Sequence, residues 1–382
     1  MSEPSALPHA SQMFATWGVR ELAVCPWDGF WPFNPSVVRT RDGRWLCSVR
    51  CADYSMPGGR PRINATGRVT NRNVIAMLDP TTLEPVSITE MHEQHAEPVL
   101  SNKVSGVEDL RLFETDADGL CAVATAMQFN RDDRQEIVVL ELDAKYQIID
   151  ATPLRGMWSK THQKNWTPYD KSEGVRLVYS LERGGVHNGH RMIVPRHGLE
   201  IPPMAIQDAA LGVVRYGQHM TQMRTAAPNL YRNGSLETKV IRRHPKMNQP
   251  EGERADSGPF TLRGGTQLVE IEPNRWLGVA HGVRLFGSFK FYWHVLYTMN
   301  RDGAMLERSE PFKLSAGGIE FAAGLVLDPV GDRAVISFGT DDESAWLGVT
   351  TLADLVRQLR PIADPRSSPR SVTDERSEEK RK

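Results

Sequence analysis

The chain has little with which to cross-link itself, to bind polyanions or to span a bilayer. Its four cysteines, Cys25, Cys47, Cys51 and Cys121, show no C-x-x-C spacing, which favours free buried thiols in a reducing compartment over disulfides or a metal site. Its 46 basic and 47 acidic residues leave a net charge of −1, so it lacks the electrostatic footprint of a nucleic-acid binder. No apolar stretch reaches the ~20 residues that a membrane-spanning helix requires, and residues 1–11 lack the basic-then-apolar order of a signal peptide. The expectation is a soluble, cytoplasmic protein, in which the sequons at Asn64, Asn165 and Asn233 carry little weight. Also missing are a G-x-S-x-G elbow and a cysteine in a nucleophile's setting. Gly184-Gly185 and Gly317-Gly318 read as turns and not as phosphate loops, because no helix follows either. His187, His190 and His197 fit no zinc spacing and no cysteine or carboxylate completes them, so no metal is expected.

What the chain does have is turns and short strands. Twenty-five prolines and 31 glycines accompany a pattern that recurs five times. A polar or small residue opens a strand, a turn follows, and a second strand begins about a dozen residues later. The copies start at Asn34, Glu108, Asn165, Gly265 and Phe321, and they turn at Asp42-Gly43, Asp118-Gly119, Glu173-Gly174, Pro273-Asn274 and Gly331-Asp332. Further strand-like runs at 74–78, 136–142, 191–194, 291–299 and 345–349 extend them. A repeated hairpin with one or two added strands reads as the blades of an all-β, five-bladed β-propeller over residues 34–363. Residues 1–33 read as an extension lying over it. Residues 195–259 are a long insertion with Pro202-Pro203 and a basic cluster at Arg242-Arg243-His244, suited to a lid or an arm. Leu352, Leu355, Val356 and Leu359 stand at the spacing of a short C-terminal helix, and residues 364–382 read as a disordered tail.

A propeller sets the starts of its innermost strands around one axis, and the unusual charges of this chain fall at those starts. The stretch Glu108-Asp109-Leu110-Arg111 is the densest. Strand alternation sends Glu108 to one face as a structural partner and places Asp109 and Arg111 together on the other. A carboxylate beside a guanidinium suits a structural ion pair or an acid/base site. The full axial set is Asn34, Arg50, Asp109, Arg111, Lys164, Arg183, His281, Glu320 and Asp341. Buried charges are costly unless paired, so these eight ionisable residues and one asparagine together favour a site.

The motifs Asn34-Pro35-Ser36, Arg50, Glu108-Asp109-x-Arg111, Lys164-Asn165-Trp166, Arg263-Gly264-Gly265-Thr266, Ala280-His281-Gly282 and Ser337-Phe338-Gly339-x-x-Asp341 occur in one order. In that order the chain resembles the five-bladed β-mannoside phosphorylases of glycoside hydrolase family 130 and the related β-1,2-mannosyltransferases of glycosyltransferase family 108. The resemblance spans residues 34–341. The phosphorylases usually have proline where this chain has Leu110, and the insertion before Arg263 is a second departure; both bear on donor and acceptor more than on fold. By position, the resemblance implies an inverting mannosyl-transferring enzyme in which Asp109 is the single catalytic acid. It implies that Asn34, Arg50 and Asp341 hold the mannosyl unit, with Arg111 either holding Asp109 or touching substrate. It makes Lys164, Arg183 and His281 a cationic wall for phosphate. No cofactor is implied beyond the co-substrate, inorganic phosphate or a sugar nucleotide, and the partner is an oligosaccharide or a sugar phosphate. Two alternatives stay open: a sugar-binding propeller without catalysis, and a β-mannosidase with Glu320 as a second carboxylate. Nothing in the sequence bears on the oligomeric state.

Overall fold

A computed structural model describes residues 7–57, 61–63, 67–95, 99–101, 103–115, 119–154, 162–169, 175–178, 181, 191–194, 214–215, 231–232, 235–236, 262–286, 289–301, 304–315, 318–328 and 332–362. Nearly all of the insertion at 195–259 and the whole 364–382 tail lie outside this set, as do Arg183, His187, His190 and His197.

The hairpin pattern becomes consecutive antiparallel sheets. The first runs through Trp31–Arg39, Trp45–Ala52, Val69–Leu78 and Pro85–Met91, and the second through Glu108–Thr115, Gly119–Ala126, Glu136–Leu142 and Ile148–Pro153. Thr167–Tyr169, Val175–Val178 and Arg191–Val194 form the next. Leu262–Gly264, Arg275–Phe286, Phe289–Met299 and Met305–Arg308 follow. The last sheet joins Glu320–Asp328, Arg333–Thr340 and Ser344–Thr351 to Gly18–Glu21 from near the start of the chain. The extension over residues 1–33 thus contributes a strand, and its neighbours are fastened too. Thr16 bonds to Asp354 through its backbone N–H (3.1 Å) and its hydroxyl (2.9 Å), and the Gln358 amide donates to the carbonyl of Met13. Asp354 belongs to the helix Leu352–Arg357, whose first turn is capped by the Thr351 hydroxyl.

The arrangement is all-β and propeller-like, and the alternation of side chains explains how the sheets stack. Neighbouring residues on a strand point to opposite faces, so each sheet feeds two apolar cores. Val37 packs with Trp45, Val326 and Val335 of the first and last sheets, whereas Val38 packs with Leu46, Leu110 and Leu112 of the first and second. Leu112 faces back to the first sheet and Phe113 forward to Trp166 and Leu177. Tyr169 and Val178 meet Leu262 and Trp276, and Leu277 and Leu296 meet Ala322 and Ile336. Each sheet is therefore apolar on both faces, which is why its strands read as nearly continuous hydrophobic runs.

One copy departs from the expected pattern. The inner strand of the fourth sheet is Leu262–Gly264, not a run from Gly265, and Val269–Glu272 pairs separately with the same neighbour. Between them Gln267 turns inward, its amide donating to the carbonyls of Val37 (2.7 Å) and Leu325 (3.0 Å). A strand that ties two other sheets together cannot also continue its own ladder. Among the described residues, no helix is long and apolar enough to cross a membrane.

Candidate functional site

The inner strands of the first two sheets share a backbone device. Asn34 and Asp109 both sit in the left-handed region, with φ of 48° and 53°, and Asn165 does so just before the third inner strand, at 62°. Asn and Asp adopt this region more readily than most residues. Each sheet pays for it in register: pairing shifts between Phe33 and Ser36 on one strand and between Val123 and Thr125 on another. The turn has to be tightly supported. Gly339 leaves room for Asn34, since a Cβ there would lie 2.5 Å from the Asn34 backbone nitrogen. Gly106, at φ 83°, lets the chain into Asp109 pass Asn71, whose carbonyl oxygen a Cβ would approach to 2.1 Å.

This bulge corrects the strand-alternation expectation for Glu108. It does not point away from Asp109; both carboxylates face the same guanidinium. Arg50, fully enclosed, donates from one terminal nitrogen to Asp109 Oδ1 (2.9 Å) and lies 3.6 Å from Glu108 Oε2. Its Nε donates to Asn71 Oδ1 (2.8 Å) and its other terminal nitrogen to the Tyr54 hydroxyl (3.1 Å). The Phe33 ring lies beneath it, 4.8 Å from the guanidinium carbon. Asn34 completes the clamp, its amide donating to Asp109 Oδ1 (2.9 Å). Lys164 reaches the same cluster, with Nζ 3.6 Å from Glu108 Oε2.

Of the two roles left open for Arg111, its contacts are those of holding Asp109. Its guanidinium donates to the carbonyl of Asp109 (2.9 Å), the carbonyl of Gly265 (2.6 Å) and Asn165 Oδ1 (3.1 Å), and Phe321 stacks on it. It ties the inner strand of the second sheet to residues flanking two other inner strands and fixes the backbone of Asp109. Burial, only partly opposed by Asp109, brings it down to about 10.

Three further expectations change. Asp341 Oδ1 accepts from the backbone N–H of Ile319 (3.0 Å), its own N–H donates to the carbonyl of Ile319, and its carbonyl accepts from the N–H of Met56. The carboxyl that interacts with Arg50, Asp109 and Lys164 is that of the next residue, Asp342, also left-handed at φ 49°. Glu320 is fully buried and accepts from the N–H groups of Leu314 (3.1 Å) and Ser315 (2.7 Å) and from the Ser315 hydroxyl (2.8 Å), with His294 Nδ1 3.4 Å away. It holds the 314–315 turn and has no free oxygen for a water. His281 is not cationic: burial, then the nearby His294, Arg263 and Arg111, push it well below the usual imidazole range. It is sandwiched between Tyr292, stacked at 5.9 Å, and the edge of Phe321, and its Nδ1 is buried without a hydrogen-bond partner. It is a neutral hydrogen-bonding group.

The two aspartates of the cluster are driven apart. Burial alone would raise Asp109, but Arg50, Lys164, the Asn34 hydrogen bond and Arg111 outweigh it and hold the carboxyl at about 2. Burial dominates at Asp342; with the negative Asp109 beside it, and against Arg50, Lys164 and Lys290, the group is pushed up to about 6. One carboxyl is thus kept ionised and its neighbour titrates close to neutrality, a division that acid/base sites use. Tyr54, Lys290, Tyr292 and Asp342 belong to this site without having been singled out from the sequence. Only Asp342 had a signal there, as the residue adjoining Asp341.

No family model matches the chain, and no curated protein matches it by sequence. Among solved structures it is similar to a mannose phosphorylase from Leishmania mexicana in complex with phosphate ion, at 10% identity over 90% of this chain and 92% of that one, with a TM-score of 0.47. It is similar to a β-1,2-mannobiose phosphorylase from Listeria innocua in complex with β-1,2-mannobiose, at 12% identity over 89% and 96%, with a TM-score of 0.48. It is also similar to a GDP-Man-dependent mannosyltransferase from Leishmania mexicana, at 9% identity over 87% and 90%, with a TM-score of 0.46.

Proposed function

We propose that this chain is an inverting carbohydrate-active enzyme that transfers mannosyl units from an anionic donor to a sugar hydroxyl. In this reading the sheet built on Thr167–Tyr169 is one of five blades. The observation that carries it is Asp109, a buried carboxylate that Arg50 and Asn34 clamp in one orientation and keep ionised, with the Lys164 ammonium next to the cluster.

That state defines the direction of proton flow. An acceptor hydroxyl becomes strongly acidic as its oxygen bonds to the anomeric carbon, so a carboxylate already ionised takes its proton. The new C–O bond forms on one face as the bond to the phosphate or nucleoside diphosphate breaks on the other, which inverts the centre. Lys164 offsets the charge of the departing group. The buried, neutral His281 offers a hydrogen bond to the same ligands. The anion itself needs no second carboxylate to activate it. Cleavage in the reverse sense passes through the same carboxyl in its protonated form, so one group serves both directions.

The test is incubation with mannose-1-phosphate or GDP-mannose and a panel of mannoside acceptors. Formation of a longer mannoside together with phosphate or GDP supports the reading, and the productive donor separates phosphorylase from transferase. If neither donor is consumed, the transfer reading is wrong. One observation favours a second reading. Asp342, titrating near 6 beside Asp109, supplies the second carboxylate that a hydrolase uses. Release of mannose from β-mannosides in phosphate-free buffer, lost in Asp342→Asn, is its signature.

A further inference from the structure

The residues just ahead of Asp109 are held from outside their own strand. Both N–H groups and both carbonyls of Gly106 and Val107 meet side chains. The Gly106 N–H donates to Gln128 Oε1 (2.6 Å) and the Val107 N–H to Glu93 Oε1 (3.2 Å). Their carbonyls accept from the amides of Asn71 (3.5 Å) and Asn73 (3.0 Å). A segment outside any ladder needs such partners where it is buried.

Glu93 and Gln128 are also joined to each other. Gln128 Nε2 donates to Glu93 Oε2 (2.5 Å), and His95 Nε2 stands 2.8 Å from the same oxygen. The two side chains come from separately anchored segments. Glu93 follows Pro85–Met91 of the first sheet, and its segment is hooked onto the outer strand of the second. There the Gln94 N–H donates to the carbonyl of Ile148 (2.8 Å) and the Ile148 N–H to that of His92 (3.0 Å). Gln128 follows Gly119–Ala126 and is buried, and its carbonyl accepts from the N–H groups of Leu100 (2.6 Å) and Ser101 (3.3 Å). The next ring, Phe129, meets that of His95 edge-on at 5.3 Å.

We propose that Glu93 and Gln128 are positioning residues for Asp109, a two-membered cradle that fixes the peptide leading into it. Asp109 lies two residues beyond Val107 in a left-handed conformation (φ 53°), and Gly106 is left-handed too (83°). A shift of the Gly106–Val107 peptide is passed along this bent stretch to a carboxyl whose bonds to Arg50 and Asn34 are each 2.9 Å long. Asn71 links the two ends of the arrangement, since its Oδ1 accepts from Arg50 Nε while its amide meets Gly106. Glu93 and Gln128 thus act on Asp109 through the backbone. The inference rests on the reading of Asp109 as the group that takes the acceptor's proton.

The experiment exchanges the two residues. In Glu93→Gln two amides face each other, and with an acceptor kept on both backbone N–H groups their NH2 groups are opposed. Gln128→Glu alone sets two carboxylates face to face. The double variant restores an acceptor for Gly106, an acceptor for Val107 and the bond between the side chains with its direction reversed, and His95 can present either tautomer to it. In turnover of mannose-1-phosphate or GDP-mannose, each single variant should lose on the order of 10–10² in kcat, the cost of a misplaced group, with KM for the donor little changed. The double variant should return to within a few-fold of the wild type. Hydrogen exchange of the peptide spanning Gly106 and Val107 reads the cradle without turnover: it should be faster in the single variants and as slow as the wild type in the double. Gln128→Asn, too short to reach Gly106 from the same backbone, replaces a single variant that does not fold. A wild type that consumes neither donor refutes the transfer reading on which the inference stands. A wild type that turns over, with single variants of unchanged kcat or unchanged exchange, overturns the cradle alone, as does a double variant no faster than the singles.

Discussion

Replacing Asp342 with asparagine should make this protein more stable at pH 8 and leave it nearly unchanged at pH 4. The carboxyl titrates near 6 in the fold against an ordinary 3.8, chiefly through burial and with the charge of Asp109 adding to it. A group whose folded value lies above its unfolded one is favoured in its protonated form by the fold. Its penalty is absent below pH 4, grows between 4 and 6, and is complete above 6. At 1.4 kcal/mol per pH unit, the difference of 6 and 3.8 corresponds to about 3 kcal/mol. Solvent reaching the partly exposed side chain reduces that to about 2 kcal/mol. Asparagine keeps the shape and cannot ionise, so it relieves the penalty. Urea denaturation at pH 8, 6 and 4, followed by tryptophan fluorescence, measures it. A gain equal at all three pH values, or no gain at pH 8, would refute the electrostatic reasoning. A destabilised carboxylate retained beside an ionised one is what a site used for chemistry looks like.

Other outcomes follow from the same cluster. Arg50→Met should cost about 3–5 kcal/mol in chemical denaturation, because it leaves Glu108 and Asp109 buried without their cation. Arg50→Lys should recover only part of this, since an ammonium cannot serve Asn71, Asp109 and Tyr54 at once. Gly339→Ala should cost about 2 kcal/mol by forcing Asn34 out of place, and its loss of turnover should exceed its loss of stability. Asp109 contributes in the opposite pH sense to Asp342. Its depressed value gives about 2 kcal/mol above pH 4 that disappears as the pH falls towards 2, so Asp109→Asn should be less stable at pH 7 and lose its deficit in acid.

Much of this was legible in the sequence because the repeat was. Period-two runs on either side of turns at Asp42-Gly43 and Asp118-Gly119 mark the hairpins, and their aligned starts group Asn34, Asp109 and Lys164. What escaped depends on single backbone angles. A positive φ at Asp109 adds one residue to the strand and turns Glu108 to the side that alternation denies it. Consecutive left-handed residues at Asp341 and Asp342 decide which of two adjacent carboxylates meets Arg50, and no spacing rule distinguishes them. The charge of His281 was illegible for another reason: neighbours at Arg263 and Arg111 and complete burial set it, and those are known only once the strands are paired. Glu320 was expected to be available because its bonds to Leu314 and Ser315 arise from a local turn that carries no sequence signature.

The measurement closest to the central claim is the rate of mannosyl transfer by the wild type and by Asp109→Asn, under the conditions where the wild type consumes a donor. If the ionised Asp109 accepts the acceptor's proton, the variant should lose on the order of 10²–10⁴ in kcat while KM for the donor changes little. A variant that transfers within a few-fold of the wild type would contradict the account.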